Sequence, residues 1–254
     1  MSSKEHFVKR SENPARMVVI ATYNERENIS ALIDDILGLT PKFRILVVDD
    51  TSPDGTGEVV SRWAGKDARV SLLSRPVREG YGPAALAGFK EALRRGADRI
   101  FTMDADHSHD PRSLTELDRT LDKHDLVIGS RYRDGIRIMN WSPARLALSL
   151  GANAYLRFIL RLPYADCTSG FRGYLAPALE SALRSPVRSS GYAFLVEILY
   201  RCHRTGFSIG EITIIYTERR AGRSKLSRSS ILEAVYRPWL LLAGGKAMNR
   251  ERKR

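Results

Sequence analysis

Arg99-Ile100-Phe101-Thr102-Met103-Asp104-Ala105-Asp106 decides how this chain is read, because a short apolar run leads straight into two carboxylates. The run has the length and composition of a strand. Acids that follow a strand stand at the carboxyl end of a sheet, where open α/β folds bind their ligands. On extended backbone, side chains two apart project to one side, so Asp104 and Asp106 can share one hard cation that also grips phosphate oxygens. On a surface loop the same spacing would be an ordinary pair of solvated acids, and it is the place after a strand that favours a site.

Toward the N-terminus the rhythm repeats. Apolar runs at Met17 to Ala21, Phe43 to Val48 and Arg69 to Leu73 alternate with helical spacing at Asn28 to Leu39, Thr56 to Ala64 and Pro83 to Arg95. Such alternation predicts an α/β fold with a mostly parallel sheet flanked by helices. Toward the C-terminus, Asp110 reads as the cap of a helix opened by Pro111, and Leu126 to Gly129 as another strand. Helices follow at Pro143 to Leu160 and Ala193 to Cys202, separated by a polar stretch at Asp166 to Gly173. A strand at Ile209 to Tyr216, a loop from Glu218 to Arg228 and a helix from Ser230 to Leu242 complete the pattern. In that last helix Glu233 and Arg237 form a narrow polar stripe, so it is suited either to a membrane interface or to docking on its own domain.

The chain has 254 residues, enough for one substantial core, and 43% hydrophobic with 28% charged residues excludes wholesale disorder. Its net charge is +12, and eleven Lys/Arg against two acids from Arg219 onward put nine of those charges in the last 36 residues. A local basic tail suits lipid headgroups, a phosphorylated substrate or nucleic acid. The closing run Arg250-Glu251-Arg252-Lys253-Arg254 has no interleaved aromatics, so nucleic acid is not expected. Trp239 to Gly245 is far shorter than the roughly 20 apolar residues of a spanning helix. Met1 to Pro14 has no apolar core of a secretory signal and reads as part of a flexible N-terminus over residues 1–16. Cys167 and Cys202 are too few for a disulfide framework and read as core thiols in a reducing compartment.

Further candidates gather on the same expected rim. Asp49-Asp50 ends the second strand and Tyr23-Asn24-Glu25 the first, so an aromatic face and carboxylates could hold a nucleobase and ribose. Asp49 and Asp54 read as supports of the loop and turn, and Asp50 as the better ligand. Asp166 can orient a sugar or an arginine, or cap the turn after it. The His107-Ser108-His109 run reads as exposed loop histidines rather than metal ligands.

Thr22-Tyr23-Asn24-Glu25, Val48-Asp49-Asp50, Ser52-Pro53-Asp54-Gly55-Thr56, Asp104-Ala105-Asp106, Gly129-Ser130-Arg131-Tyr132, Asp166-Cys167-Thr168-Ser169-Gly170-Phe171-Arg172 and Ser224-Lys225-Leu226-Ser227 occur in order. Together they resemble the dolichol- and polyprenol-phosphate mannose synthases of glycosyltransferase family 2, over about Met17 to Tyr236. The resemblance implies a GT-A fold over residues 17–228, with residues 229–254 as an amphipathic helix and basic tail. It implies inverting transfer of mannose from GDP-mannose to a polyprenyl phosphate, with Mg2+ or Mn2+. Tyr23 and Glu25 would hold the guanine side and Val48 and Asp50 the base and ribose. Ala21 and Ala105 would line the donor site, Ala21 standing where the family usually has proline. Asp104 and Asp106, with a weaker contact from Ser108, would hold the metal and through it the diphosphate.

Arg131, Arg219 and Lys225 would contact phosphates of the donor, and Arg131 and Arg145 the acceptor phosphate. Arg172 and Arg220 are further candidate cations, and the Glu218 to Arg228 segment a candidate lid. Cys167 replaces a proline common in the family. The resemblance also implies a cytoplasmic enzyme held on the cytoplasmic face of a membrane by an anionic surface, with a small membrane subunit as a possible partner. Transfer of glucose or another sugar by the same fold, and a catalytically silent binder, are the competing readings.

Overall fold

Residues 11–218 and 228–251 are described by the structure, a computed structural model. The chain enters at β1 (Arg16–Thr22), with Arg16 already tied to Asp118 at 2.9 Å, so order begins inside the N-terminal segment expected to be flexible. Next come α1 (Arg26–Leu37), β2 (Arg44–Asp49), α2 (Thr56–Lys66), β3 (Val70–Ser74), α3 (Tyr81–Arg94) and β4 (Arg99–Thr102). These follow the predicted alternation within a few residues. β1 and β2 are buried along almost their whole length, which is why they read as unbroken apolar runs.

Beyond β4 lie α4 (Ser113–Thr120), β5 (Leu126–Ser130), β6 (Ile138–Met139), α5 (Pro143–Leu160), β7 (Arg172–Leu175) and α6 (Ala176–Leu183). The chain closes with α7 (Gly191–Thr205), β8 (Ile209–Thr213), β9 (Tyr216–Thr217) and α8 (Arg228–Glu251). The helix expected from Pro111 starts two residues later, because the Asp110 carboxylate accepts the Arg112 N–H at 3.0 Å in a turn before it. Ser142 caps α5 as an acceptor for the Arg145 N–H, with Pro143 in the first turn. The single strand expected at Ile209 to Tyr216 divides, and its end pairs with β6 in a separate two-stranded sheet.

The main sheet has seven strands in the order β3-β2-β1-β4-β7-β5-β8. All neighbours are parallel except around β7, which runs antiparallel to both β4 and β5. β4 and β5 therefore point the same way, and the loop leading into β7 returns to their carboxyl edge. One face carries α3, α5, α6 and α7, the other α1, α2 and α4. The closest approach of helix to sheet is at Gly88 of α3, where a Cβ would overlap the Val19 Cγ1 methyl and stand 2.9 Å from Val48 Cγ2. Gly88→Ala is expected to destabilise the fold in urea unfolding. Overpacking costs about 1–3 kcal/mol, more than the roughly 1 kcal/mol that alanine gains over glycine in a helix.

Candidate active site

The carboxyl ends of β1, β2, β4, β5 and β8 and the loop before β7 meet along one rim. The chain leaves β1 and β4 in opposite lateral directions, and a crevice opens at such a switch of strand order.

On the β1–β2 side, Thr22 Oγ1 donates to Asp49 Oδ1 at 3.0 Å, and Asp49 Oδ2 accepts the Ser52 N–H at 2.9 Å. Asp54 accepts the Thr56 N–H at 2.9 Å, so both acids support loops as expected. Asp50 instead meets Arg75 at 3.0 Å; burial pushes its carboxyl up and the guanidinium pulls against that shift. Glu25 accepts from Asn28 Nδ2 at 2.9 Å, and the Arg78 guanidinium lies 3.9 Å over the Tyr23 ring. Ala21 and Val48 are paired in register at this edge, with the Val48 side chain fully buried and its carbonyl accepting from Thr22 Oγ1 at 3.2 Å. Arg75 and Arg78 follow β3 in a loop whose sequence gave no sign of reaching the rim.

In the middle, Asp104, Ala105 and Asp106 leave β4 on a turn in which His107 takes a left-handed φ of 55°. The Asp104 carboxylate is about a third exposed and Asp106 almost fully buried. Asp106 Oδ1 accepts the Ser108 N–H at 3.1 Å. Ser108 Oγ is buried and has no hydrogen-bond partner among the described residues. An orphaned hydroxyl beside two carboxylates suits a hard divalent cation, which takes oxygen ligands. Among the described residues no group of three or more His, Cys, Asp or Glu could hold a metal.

The reading of the histidines as exposed loop residues is overturned. His109 is 2% exposed, its ring stacked on Phe171 at 5.0 Å and edge-on to Tyr216 at 5.3 Å. Burial pushes its imidazole down to about 4. His107 is mostly covered and pairs with Asp35 at 3.3 Å.

On the β5 side, Arg131 is 8% exposed and held by Asp166 at 2.7 and 2.8 Å, with Thr168 Oγ1 at 2.8 Å. Asp166 also accepts the N–H groups of Thr168 and Ser169, so it both orients an arginine and caps its turn. Burial opposes ionisation of both partners, yet their mutual attraction wins: the Asp166 carboxyl lies below its ordinary range and the Arg131 guanidinium above its own. Glu211 fixes this loop from below by accepting the Asp166 N–H at 3.2 Å. The loop touches the acidic side as well, since a Cβ on Gly170 would stand 3.6 Å from Asp104 Oδ1.

Arg145 reaches Glu218 at 2.7 Å and lies 4.1 Å over Trp141, whose ring is 5.7 Å from Arg131. Trp141 and Tyr216 were missed in the sequence, because only the pairing of β6 with β9 brings them to the arginines. Arg172 is corrected as a phosphate-binding candidate. It is fully buried and donates to the carbonyls of Leu195 at 2.6 Å and Cys167 at 2.7 Å. Arg219, Arg220, Lys225 and the expected lid lie outside the described residues, apart from its two ends. Burial pushes the thiols of Cys167 and Cys202 up to about 12, as suits inert core cysteines.

The model of the family described as "Glycosyl transferase family 2" matches residues 17–183. The chain is 44% identical over 223 residues to the polyprenol monophosphomannose synthase of Mycolicibacterium smegmatis, covering 87% of this chain and 84% of that one. It is 39% identical over 219 residues to the undecaprenyl-phosphate mannosyltransferase of Micrococcus luteus, covering 86% and 90%. Among solved structures, glucosyl-3-phosphoglycerate synthase from Mycobacterium tuberculosis, crystallised with Mn2+, UDP and glucosyl-3-phosphoglycerate, superimposes with a TM-score of 0.63 at 20% identity. That match covers 91% of this chain and 80% of that one. Fold, family match and relatives agree: the chain belongs to glycosyltransferase family 2 and is an enzyme of GT-A fold.

Proposed function

We propose that the enzyme transfers mannose from GDP-mannose to a polyprenyl phosphate, inverting the anomeric centre, with Mg2+ or Mn2+ held by Asp104, Asp106 and Ser108. The observation that carries this reading is the shared loop 166–171, which abuts Asp104 at Gly170 and grips Arg131 through Asp166. One rigid segment thus sets the spacing between an acidic pocket for a donor's cation and a cationic, aromatic floor for an acceptor's phosphate. The names of the relatives support the choice of sugar and lipid.

A phosphate monoester, with a second pKa near 6, is mostly ionised at neutral pH and needs no protein base to become a nucleophile. Repulsion is the obstacle: each pair of unit charges at 4 Å costs about 4 kcal/mol at an effective dielectric near 20. When bound, the divalent ion would neutralise the diphosphate and stabilise it as leaving group. Tyr23, Glu25 and Asp50, with the strand ends at Ala21 and Val48, would hold the nucleoside, and Ala105 would keep the turn narrow. Arg131 is neutralised by Asp166, so its part is to orient the acceptor phosphate, while Arg145 exchanges Glu218 for that phosphate. Arg219 and Lys225 would add charge on the donor side.

The lipid substrate calls for a membrane surface, and α5 and α8 offer one. Leu148, Phe158, Leu232, Val235, Trp239 and Leu240 are all more than half exposed. Tyr155 joins the helices, accepting from Trp239 Nε1 at 2.8 Å and donating to the Val235 carbonyl at 2.6 Å. The polar stripe of α8 turns inward instead, where Glu233 accepts from Ser190 N at 2.7 Å. No helix among the described residues is long and apolar enough to cross a membrane. The contact we propose is peripheral and on the cytoplasmic face, with the basic tail adding about 1 kcal/mol per residue near anionic lipid. A small membrane subunit would be a further partner. Phe158→Glu combined with Leu240→Glu is expected to lower partition onto anionic vesicles at least about tenfold, since burying one such side chain yields roughly 1.5–3 kcal/mol. Turnover on a water-soluble short-chain acceptor should persist, and undiminished vesicle binding would refute this face.

Donor and acceptor are tested together by offering a panel of nucleotide sugars with a short polyprenyl phosphate and reading the lipid product by mass spectrometry. GDP-mannose should give the mannosyl lipid; a product from UDP-glucose alone would overturn the donor assignment.

A further inference from the structure

His109 has no task in the mechanism above, yet it is buried on the rim in closely specified surroundings. Its ring lies nearly parallel to Phe171, at 15° between planes, and meets Tyr216 edge-on at 75°. Its backbone forms an antiparallel bridge with Tyr216, and the neighbouring Ser108 carbonyl accepts the Thr217 N–H at 3.1 Å. The imidazole is thus fixed from outside the turn that it serves. Its Nδ1 lies 3.4 Å from the Asp104 amide nitrogen and 4.0 Å from Asp104 Oδ2. An amide N–H can only donate, so Nδ1 accepts and carries no proton, which leaves the ring proton on Nε2.

We infer that His109 is the positioning residue of the Asp104–Asp106 turn, accepting the Asp104 N–H through an unprotonated Nδ1 and so holding both carboxylates and the Ser108 hydroxyl in the arrangement that takes a divalent cation. The inference rests on the proposed metal role of those three residues. Residues that orient ligands from behind typically change metal affinity about 10–100-fold when removed.

Two substitutions separate positioning from packing. His109→Phe keeps a ring against Phe171 and Tyr216 but has no acceptor, and His109→Asn carries an acceptor that can reach the place of Nδ1. Binding of Mn2+ in the presence of GDP is followed by the loss of the free-ion signal in electron paramagnetic resonance, alongside the melting temperature without metal. The phenylalanine variant is expected to weaken Mn2+ binding roughly tenfold or more, and the asparagine variant to recover most of it. Wild-type affinity in His109→Phe, or equal loss in both variants, would overturn the positioning role. Absence of Mn2+ binding in the wild type would instead refute the metal reading, and the inference with it. Should His109→Phe fail to fold, nitrogen-15 spectra of the histidine rings in the wild type decide the matter: the Nε2-protonated form of His109 is expected, and the Nδ1-protonated form would contradict the assignment.

Discussion

Asp106→Asn is expected to abolish metal-dependent transfer, lowering kcat by at least about 10²–10³-fold, the range seen when one stabilising group is removed from a developing charge. Asparagine keeps the shape and can still accept the Ser108 N–H, so the turn should survive. What disappears is the negative charge next to Asp104, in a pocket where Asp106 is almost fully buried. Without a cation, two neighbouring carboxylates repel each other, and removing one charge should leave the metal-free melting temperature unchanged or slightly raised. The rise in melting temperature on adding Mn2+ with GDP, expected for a ligand that binds only the folded state, should vanish. Asp104→Asn should behave alike. Wild-type rates in either variant with metal present would remove the assignment of the pair.

The second large effect is on stability. Arg131→Met leaves Asp166, which has no solvent exposure, as a buried carboxylate without its cation. Breaking one side of such a pair costs about 3–5 kcal/mol. Transfer should fall as well, because the loop 166–171 that borders Asp104 loses its anchor. The pH dependence has a definite sign. Burial alone would raise the Asp166 carboxyl, but Arg131 outweighs it and the net shift is downward. A depressed carboxyl contributes stability that is present above its unfolded pKa of about 3.9 and is lost as pH falls through the lower folded value. In Arg131→Met burial acts without the guanidinium and raises that carboxyl. The gap between wild type and variant in denaturant midpoint should therefore shrink on acidification, first as the variant's Asp166 protonates and then, below about pH 4, as the wild type loses its pair. A gap that widened on acidification would contradict the pair as described.

Much of this was legible because the central parallel strands are buried on both faces and so appear as plain apolar runs, each ending in the residues that line the rim. Asp104-Ala105-Asp106 could be placed from sequence for that reason alone. β7 could not. Its Arg172-Gly173 start looks like loop, and nothing local reveals that Arg172 is satisfied by the carbonyls of Leu195 and Cys167. Gly173 is there because a Cβ would come within 3.1 Å of both Leu121 and Phe101. His107 and His109 share one local sequence context, and only Phe171 and Tyr216, distant along the chain, bury the second of them. In α8 the Glu233 and Arg237 stripe was visible, but which way it turns is decided by Ser190.

The central claim is that a divalent ion on the Asp104–Asp106 turn lets two anionic substrates meet. Its most direct test is mannosyl transfer from GDP-mannose to a short-chain polyprenyl phosphate by protein stripped with EDTA, then assayed with and without added Mn2+. The expected result is no mannosylated lipid in EDTA and full recovery on adding the ion. Product formed at an undiminished rate without any divalent ion would contradict the account.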